Sequence, residues 1–97
     1  MPTYERTASF KRDWEAPMPE QKEAAKRALQ RFVEDLKAGG GFRKGLRVKG
    51  VKGASGIFEM TWANDGRATF EFGTSLIGDE PHIIWRRIGT HDVFDAP

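Results

Sequence analysis

The chain has 97 residues, with 16 Lys and Arg against 14 Asp and Glu, which describes a single domain over residues 1–97 with room for one modest core. It has no cysteine, so disulfides, thiolate zinc sites and cysteine nucleophiles are excluded. No apolar stretch is long enough to span a bilayer, and the run from Met1 to Arg6 lacks the apolar character of a secretory signal; a cytoplasmic protein with no membrane partner is expected.

The elements follow in chain order. Tyr4 to Thr7 reads as a short strand. Ala8 to Trp14 reads as a short helix, because Phe10 and Trp14 stand four apart and stack on one face. Pro17-Met18-Pro19 ends it, and Pro19 suits the first position of a second helix with Glu20 and Glu23 in its first turn. Ala25, Leu29, Phe32, Val33 and Leu36 recur at helical spacing until Gly39-Gly40-Gly41 stops the helix. That helix reads as a packing element without chemistry.

After the glycines the period becomes two. Leu46 and Val48 alternate with Arg47 and Lys49. Phe58, Met60 and Trp62 share one face of a strand from Ile57 to Ala63, and Ala68, Phe70 and Phe72 share one face of the next. Asn64-Asp65-Gly66 between them is a turn signal. A two-residue Asp-Gly turn puts the apolar faces out of phase. A three-residue loop with Gly66 left-handed pairs Trp62 with Ala68, Met60 with Phe70 and Phe58 with Phe72, and is preferred. That register sets Glu59 opposite Glu71. Two opposed carboxylates are either a solvated face balanced by arginines or a carboxyl group of raised pKa serving as general base. His82 to Gly89 forms a further strand. The expected fold is α+β: an N-terminal strand, two helices, then a three-stranded antiparallel meander packed on the helices, with the other sheet face left for a site.

Charge is unevenly placed. Between Leu36 and Phe58 the chain carries Lys37, Arg43, Lys44, Arg47, Lys49 and Lys52 and no acid, a local excess that attracts polyanions or is simply a solvated basic loop. The segment Trp85-Arg86-Arg87-Ile88-Gly89-Thr90-His91-Asp92-Val93-Phe94 adds two guanidinium groups, an imidazole and two rings. Guanidinium suits phosphate, histidine suits proton transfer near neutrality, and exposed rings stack on unpaired bases. His82, His91, Asp79 and Asp92 form no metal-ligand motif, and no phosphate loop is present.

Taken in order, Phe10-Lys11-Arg12-Asp13-Trp14, the long second helix, Leu46-Arg47-Val48-Lys49-Gly50-Val51-Lys52-Gly53, Gly56-Ile57-Phe58-Glu59-Met60, Asp65-Gly66-Arg67-Ala68 and Arg87-Ile88-Gly89-Thr90-His91 resemble the RelE/ParE superfamily of bacterial toxins over essentially the whole chain. The Gly-Thr-His ending is most similar to the YafQ-type branch. The resemblance implies a type II toxin, an endoribonuclease that cuts mRNA on the ribosome without metal or other cofactor and is silenced by a cognate antitoxin. In that chemistry the 2′-hydroxyl attacks the adjacent phosphate, a base takes its proton and an acid protonates the departing 5′ oxygen.

Carried over by residue, His91 matches the catalytic histidine, Arg87 would neutralise phosphate charge, and Phe94 would stack on a base, one position nearer the histidine than in the YafQ-type branch. If the last strand runs straight, Trp85 and Arg87 share His91's face. Arg67 matches the cation after the turn; Lys49 and Lys52 correspond to second-strand lysines of the RelE branch, within a basic run that also holds Lys44 and Arg47. The middle strands lack the additional histidines of the YafQ-type branch, and Glu59 stands where RelE proper carries an arginine. The second proton-transfer group is therefore Glu59, Lys49, Asp92 or none. A ParE-like gyrase inhibitor without nuclease chemistry and a non-catalytic basic RNA-binding domain are the alternatives.

Overall fold

The computed structural model describes residues 2–16 and 19–97; the Pro17-Met18 helix stop expected from sequence lies outside them. The chain runs β1 (Thr3–Arg6), α1 (Ala8–Glu15), α2 (Pro19–Ala38), a 3₁₀ turn (Lys44–Leu46), β2 (Lys49–Gly50), β3 (Phe58–Ala63), β4 (Gly66–Gly73), β5 (His82–Gly89) and a second 3₁₀ turn (His91–Asp95). The strands form one mixed sheet in the order β1-β5-β4-β3-β2. The expected meander is its centre. β1 lies parallel to β5 at one edge, with Thr3 opposite His82 and Arg6 opposite Trp85. The stretch around Leu46, read as a strand from its alternation, is instead a 3₁₀ turn with Leu46 buried, and only Lys49 and Gly50 reach the ladder.

Thr7 joins sheet to helix. Its backbone N–H donates to Trp85 O at 3.0 Å. Its hydroxyl donates to Arg86 O at 2.8 Å and accepts from Phe10 N at 3.1 Å, capping α1. Phe10 and Trp14 stack as their spacing requires, with ring centroids 6.4 Å apart and planes 7° off parallel. α2 buries Ala25, Ala28 and Phe32 against the sheet. Phe32 is the centre of the core, 4.6 Å from the ring of Phe42 and 5.0 Å from those of Phe70 and Trp85, an arrangement in which edge-on ring contacts add to area burial.

The hairpin register differs from expectation. Phe58 pairs with Phe70, Met60 with Ala68 and Ala63 with Gly66, with an irregularity between Thr61 and Ala63. The extra residue that rephases the apolar faces is Trp62 in β3, not a left-handed Gly66. The glycine is needed for a different reason: a Cβ on Gly66 would lie 2.5 Å from the Trp62 ring, which folds over it, while Trp62 Nε1 donates to Arg67 O at 3.1 Å. As a result Glu59 faces Thr69 rather than Glu71, and the opposed carboxylate pair does not form.

Candidate functional site

Three of the residues expected to be catalytic fall in one row across the sheet. Lys49 lies opposite Glu59, Glu59 opposite Thr69, and Thr69 opposite Arg87. Glu59 is buried, and its carboxylate lies 3.9 Å from Lys49 Nζ, which is exposed. Arg87 is committed to the fold: its Nε donates to Asp13 Oδ2 at 2.6 Å and its terminal nitrogen to Asp13 Oδ1 at 3.2 Å. The hydrogen bond to Asp13 raises the Arg87 pKa further above its ordinary value. The Arg87 guanidinium also donates to Ala96 O, while Arg86 Nε and the Thr69 hydroxyl donate to Pro97 O. Residues 96 and 97 thus bond to the arginines of this strand.

β5 does not run straight. Phe70 pairs with Trp85 and Thr69 with Arg87, which leaves Arg86 as an extra residue without a ladder partner, ion-paired to Glu71. The bulge breaks the period-two relation between Trp85 and Arg87. Trp85, expected to stack on RNA, is 5% exposed and packs among Phe10, Phe32 and Phe70. It is a core residue.

His91 stands apart from this row, at the start of the second 3₁₀ turn, which is pinned by buried Val93. Its Nδ1 lies 3.0 Å from Asp65 Oδ1, and the Phe94 ring meets it edge-on at 5.3 Å and 81°. A carboxylate on one ring nitrogen orients the imidazole and leaves Nε2 for a proton transfer. The sequence marks Asp65 as a turn residue and as part of the Asp65-Gly66-Arg67-Ala68 segment, with no catalytic role assigned to it. The β4–β5 register could have found it: Arg67 pairs with Gly89, and carrying that alignment two residues further sets Asp65 against His91. Asp92, also considered as a second group, lines a separate cleft with Asp13 and Arg87. Arg67 sits beside the turn, its guanidinium held by the carbonyls of Ala63, Asn64 and Gly66 at 3.2, 3.2 and 2.9 Å.

β2 ends before it can cover the second half of β3, and a cleft of about 430 Å³ opens there against α2. Arg27, Arg31, Arg43, Arg47 and Arg67 all line it, with Trp62 and Asn64 at the hairpin side. No described acid lines this cleft. Arg43 is bound to Asp35, Nε–Oδ2 at 2.9 Å and Nη2–Oδ1 at 2.8 Å. That contact raises the Arg43 pKa and lowers that of Asp35. Arg27 and Arg31 were missed because α2 was read as packing alone; their i, i+4 spacing beside buried Ala25, Ala28 and Phe32 was the available signal. Lys44 and Lys52 are exposed on turns outside the cleft.

On the opposite side of α2, an apolar groove of about 510 Å³ runs between the helices and β1, lined by Tyr4, Trp14, Leu29, Val33 and Leu36 among others. Among the described residues no group of three or more His, Asp or Glu side chains is placed to hold a metal ion, and no helix is long and apolar enough to cross a membrane.

No protein-family model matches the sequence, nor does any curated protein. The architecture is nonetheless that of a defined class, the α+β fold of RelE-like toxins with two helices on a five-stranded mixed sheet. Similar solved structures include the YoeB/ParE toxin from Agrobacterium tumefaciens, at TM-score 0.65 and 14% identity over 92% of this chain and 98% of that one. The toxin–antitoxin complex DinJ–YafQ from E. coli matches at TM-score 0.60 and 16% identity over 95% and 94%. The RelB–RelE antitoxin–toxin complex from Methanococcus jannaschii matches at TM-score 0.60 and 16% identity over 95% and 98%. At these identities the likeness is one of fold.

Proposed function

We propose that this chain is the toxin of a type II toxin–antitoxin system, a metal-independent endoribonuclease that cuts mRNA on the ribosome in the cytoplasm. The observation that carries the reading is the His91–Asp65 contact, with Phe94 against the imidazole and Arg67 beside the same turn. It supplies an oriented proton-transfer group, a ring for a base and a fixed cation.

In the proposed reaction the 2′-oxygen bonds to phosphorus, the P–O5′ bond breaks, and the products end in a 2′,3′-cyclic phosphate and a 5′-hydroxyl. His91 carries one of the two proton transfers, to the departing 5′ oxygen. The proton of the 2′-hydroxyl passes to a base supplied from the ribosome, because Lys49 and Glu59 lie in the row from which His91 stands apart. A site with one well-oriented acid–base group depends on an external scaffold to align the 2′-hydroxyl, which supports a requirement for the ribosome. Two structural neighbours are toxin–antitoxin complexes. By analogy the partner of this chain is a cognate antitoxin, and the apolar groove along α2 suits an amphipathic helix from it.

The test is induced expression of wild type and His91→Ala in a bacterial host, with mRNA 5′ ends mapped. New ends with wild type alone support the nuclease and its histidine. Growth arrest of equal strength in both forms, without new ends, would replace this reading by gyrase inhibition. Neither arrest nor new ends with wild type would leave a basic binding domain.

A further inference from the structure

We infer that the arginine-lined cleft between α2 and the β3–β4 turn is a second site, one that binds the phosphate of a nucleotide unit and stacks its base on Trp62. The inference rests on the RNA-directed reading only for what the ligand is attached to; phosphate recognition at the cleft needs no cleavage.

Among the described residues, the side chains of Arg27, Arg31 and Arg47 have no hydrogen-bonding or ion-pairing partner, in contrast to Arg43 and Arg67. Three unpaired guanidinium groups that converge on one concave surface repel one another unless an anion sits between them. Guanidinium donors match phosphate oxygens in pairs, which makes phosphate the fitting anion. The volume, about 430 Å³, falls in the range of small-ligand sites, roughly 300–1,000 Å³, and accommodates one nucleotide. Trp62 supplies an aromatic wall, fixed from behind by Gly66.

The backbone gives a separate indication. Arg47 is the one described non-glycine residue in the left-handed region, at φ 50°. The left-handed backbone closes the 3₁₀ turn, where the Arg47 N–H donates to Lys44 O at 3.0 Å, and a residue other than glycine adopts it at a cost in strain. Strain of this kind collects where a side chain must be aimed, and here it lies on the cleft wall. The cleft also shares the turn with the reactive cluster: Asn64 lines the cleft and Asp65 contacts His91. A strand bound at Trp62 would continue directly to the imidazole.

The probe is a short fluorescent 2′-O-methyl RNA, which binds but lacks the attacking hydroxyl. Binding by wild type, Arg27→Gln, Arg31→Gln and Arg47→Gly is measured against salt. Each variant should lose about tenfold in affinity, and each lost contact should reduce the salt slope by about 0.7. Arg47→Gly also relieves the left-handed strain, so its thermal midpoint should hold or rise while binding falls, which a structural role would not produce. Competition by 5′-AMP that disappears in the variants assigns the site to free nucleotides. Competition by oligonucleotide alone assigns it to an RNA strand. Affinity and salt slope unchanged in all three variants would overturn the inference, as would displacement by oligoglutamate more effectively than by RNA. Absence of mRNA cleavage by wild type bears on His91 and leaves this result standing.

Discussion

The carboxylate of Asp13 holds the Arg87 side chain and the backbone beside it at once: Oδ2 accepts from Arg87 Nε at 2.6 Å and from the Ile88 N–H at 3.1 Å. β1 stops opposite Trp85, so the outer edge of β5 is uncovered beyond that point. The α1 acid completes it there and neutralises the neighbouring guanidinium.

Asp13→Asn retains an acceptor but removes the charge and leaves Arg87 half-buried without its counter-ion. Stability should fall by about 1–3 kcal/mol. Urea unfolding checks this: the midpoint should drop with the slope unchanged. An unaltered midpoint would mean the pair contributes nothing net.

Gly66 and Gly45 separate close approach from conformational freedom. A Cβ at Gly66 meets the Trp62 ring at 2.5 Å, whereas at Gly45 it meets nothing within 4 Å. Gly66→Ala should therefore lose about 1–3 kcal/mol, as overpacking does, and shift tryptophan emission as the indole is displaced. Gly45→Ala should stay within about 0.5 kcal/mol of wild type. Equal effects at the two positions would contradict the Trp62–Gly66 packing.

The two histidines should divide cleanly. His82 is 3% exposed, with Thr3 Oγ1 at 2.7 Å and Glu5 Oε1 at 2.8 Å on its two ring nitrogens, and it ties the parallel strand β1 to β5. His82→Leu should lower stability by about 1–3 kcal/mol yet leave activity intact at temperatures where the protein is folded. His91→Ala should do the reverse, since that ring is 61% exposed. Thermal melts paired with RNA cleavage on the same samples read both.

A pH dependence follows from Asp35. Its folded pKa lies below the usual carboxylate value because Arg43 donates to it. A depressed carboxylate stabilises the fold above its unfolded pKa, and that contribution is lost as pH falls through the lower folded value. The stability gap between wild type and Arg43→Gln should therefore be present at neutral pH and close in acid, below the ordinary carboxylate range. It should also narrow at high salt, since the pair is exposed. Denaturant titrations at several pH values test it. A gap that widens in acid would contradict the sign.

Much of the framework was legible in the chain itself. The Phe10–Trp14 spacing, the proline and triglycine limits of α2, and alternation through β3, β4 and β5 are local signals, and each produced the element it predicts. The site was less legible because period-two reasoning assumes unbroken strands. A bulge at Trp62 changed Glu59's partner from Glu71 to Thr69, and another at Arg86 put Arg87 on the face opposite to that of Trp85, which lies in the core. One extra residue reverses every later face; the alternation of Phe58, Met60 and Trp62 gives no mark of the bulge in β3, whereas the paired Arg86-Arg87 between Trp85 and Ile88 is a break in the period of β5.

Local spacing and composition alone thus determined the helices, the central strands and the chemistry on hand at the C-terminal segment, since these depend on neighbours a few residues apart. Only the tertiary structure decided which groups meet. It gave Arg87 to Asp13, set Asp65 against His91, and brought Arg27 and Arg31 of a helix that read as packing alone to face Arg47 and Arg67 across an open strand edge. Those contacts join residues far apart in sequence, and they are fixed by sheet register and by where β1 and β2 stop, which are properties of the packed fold.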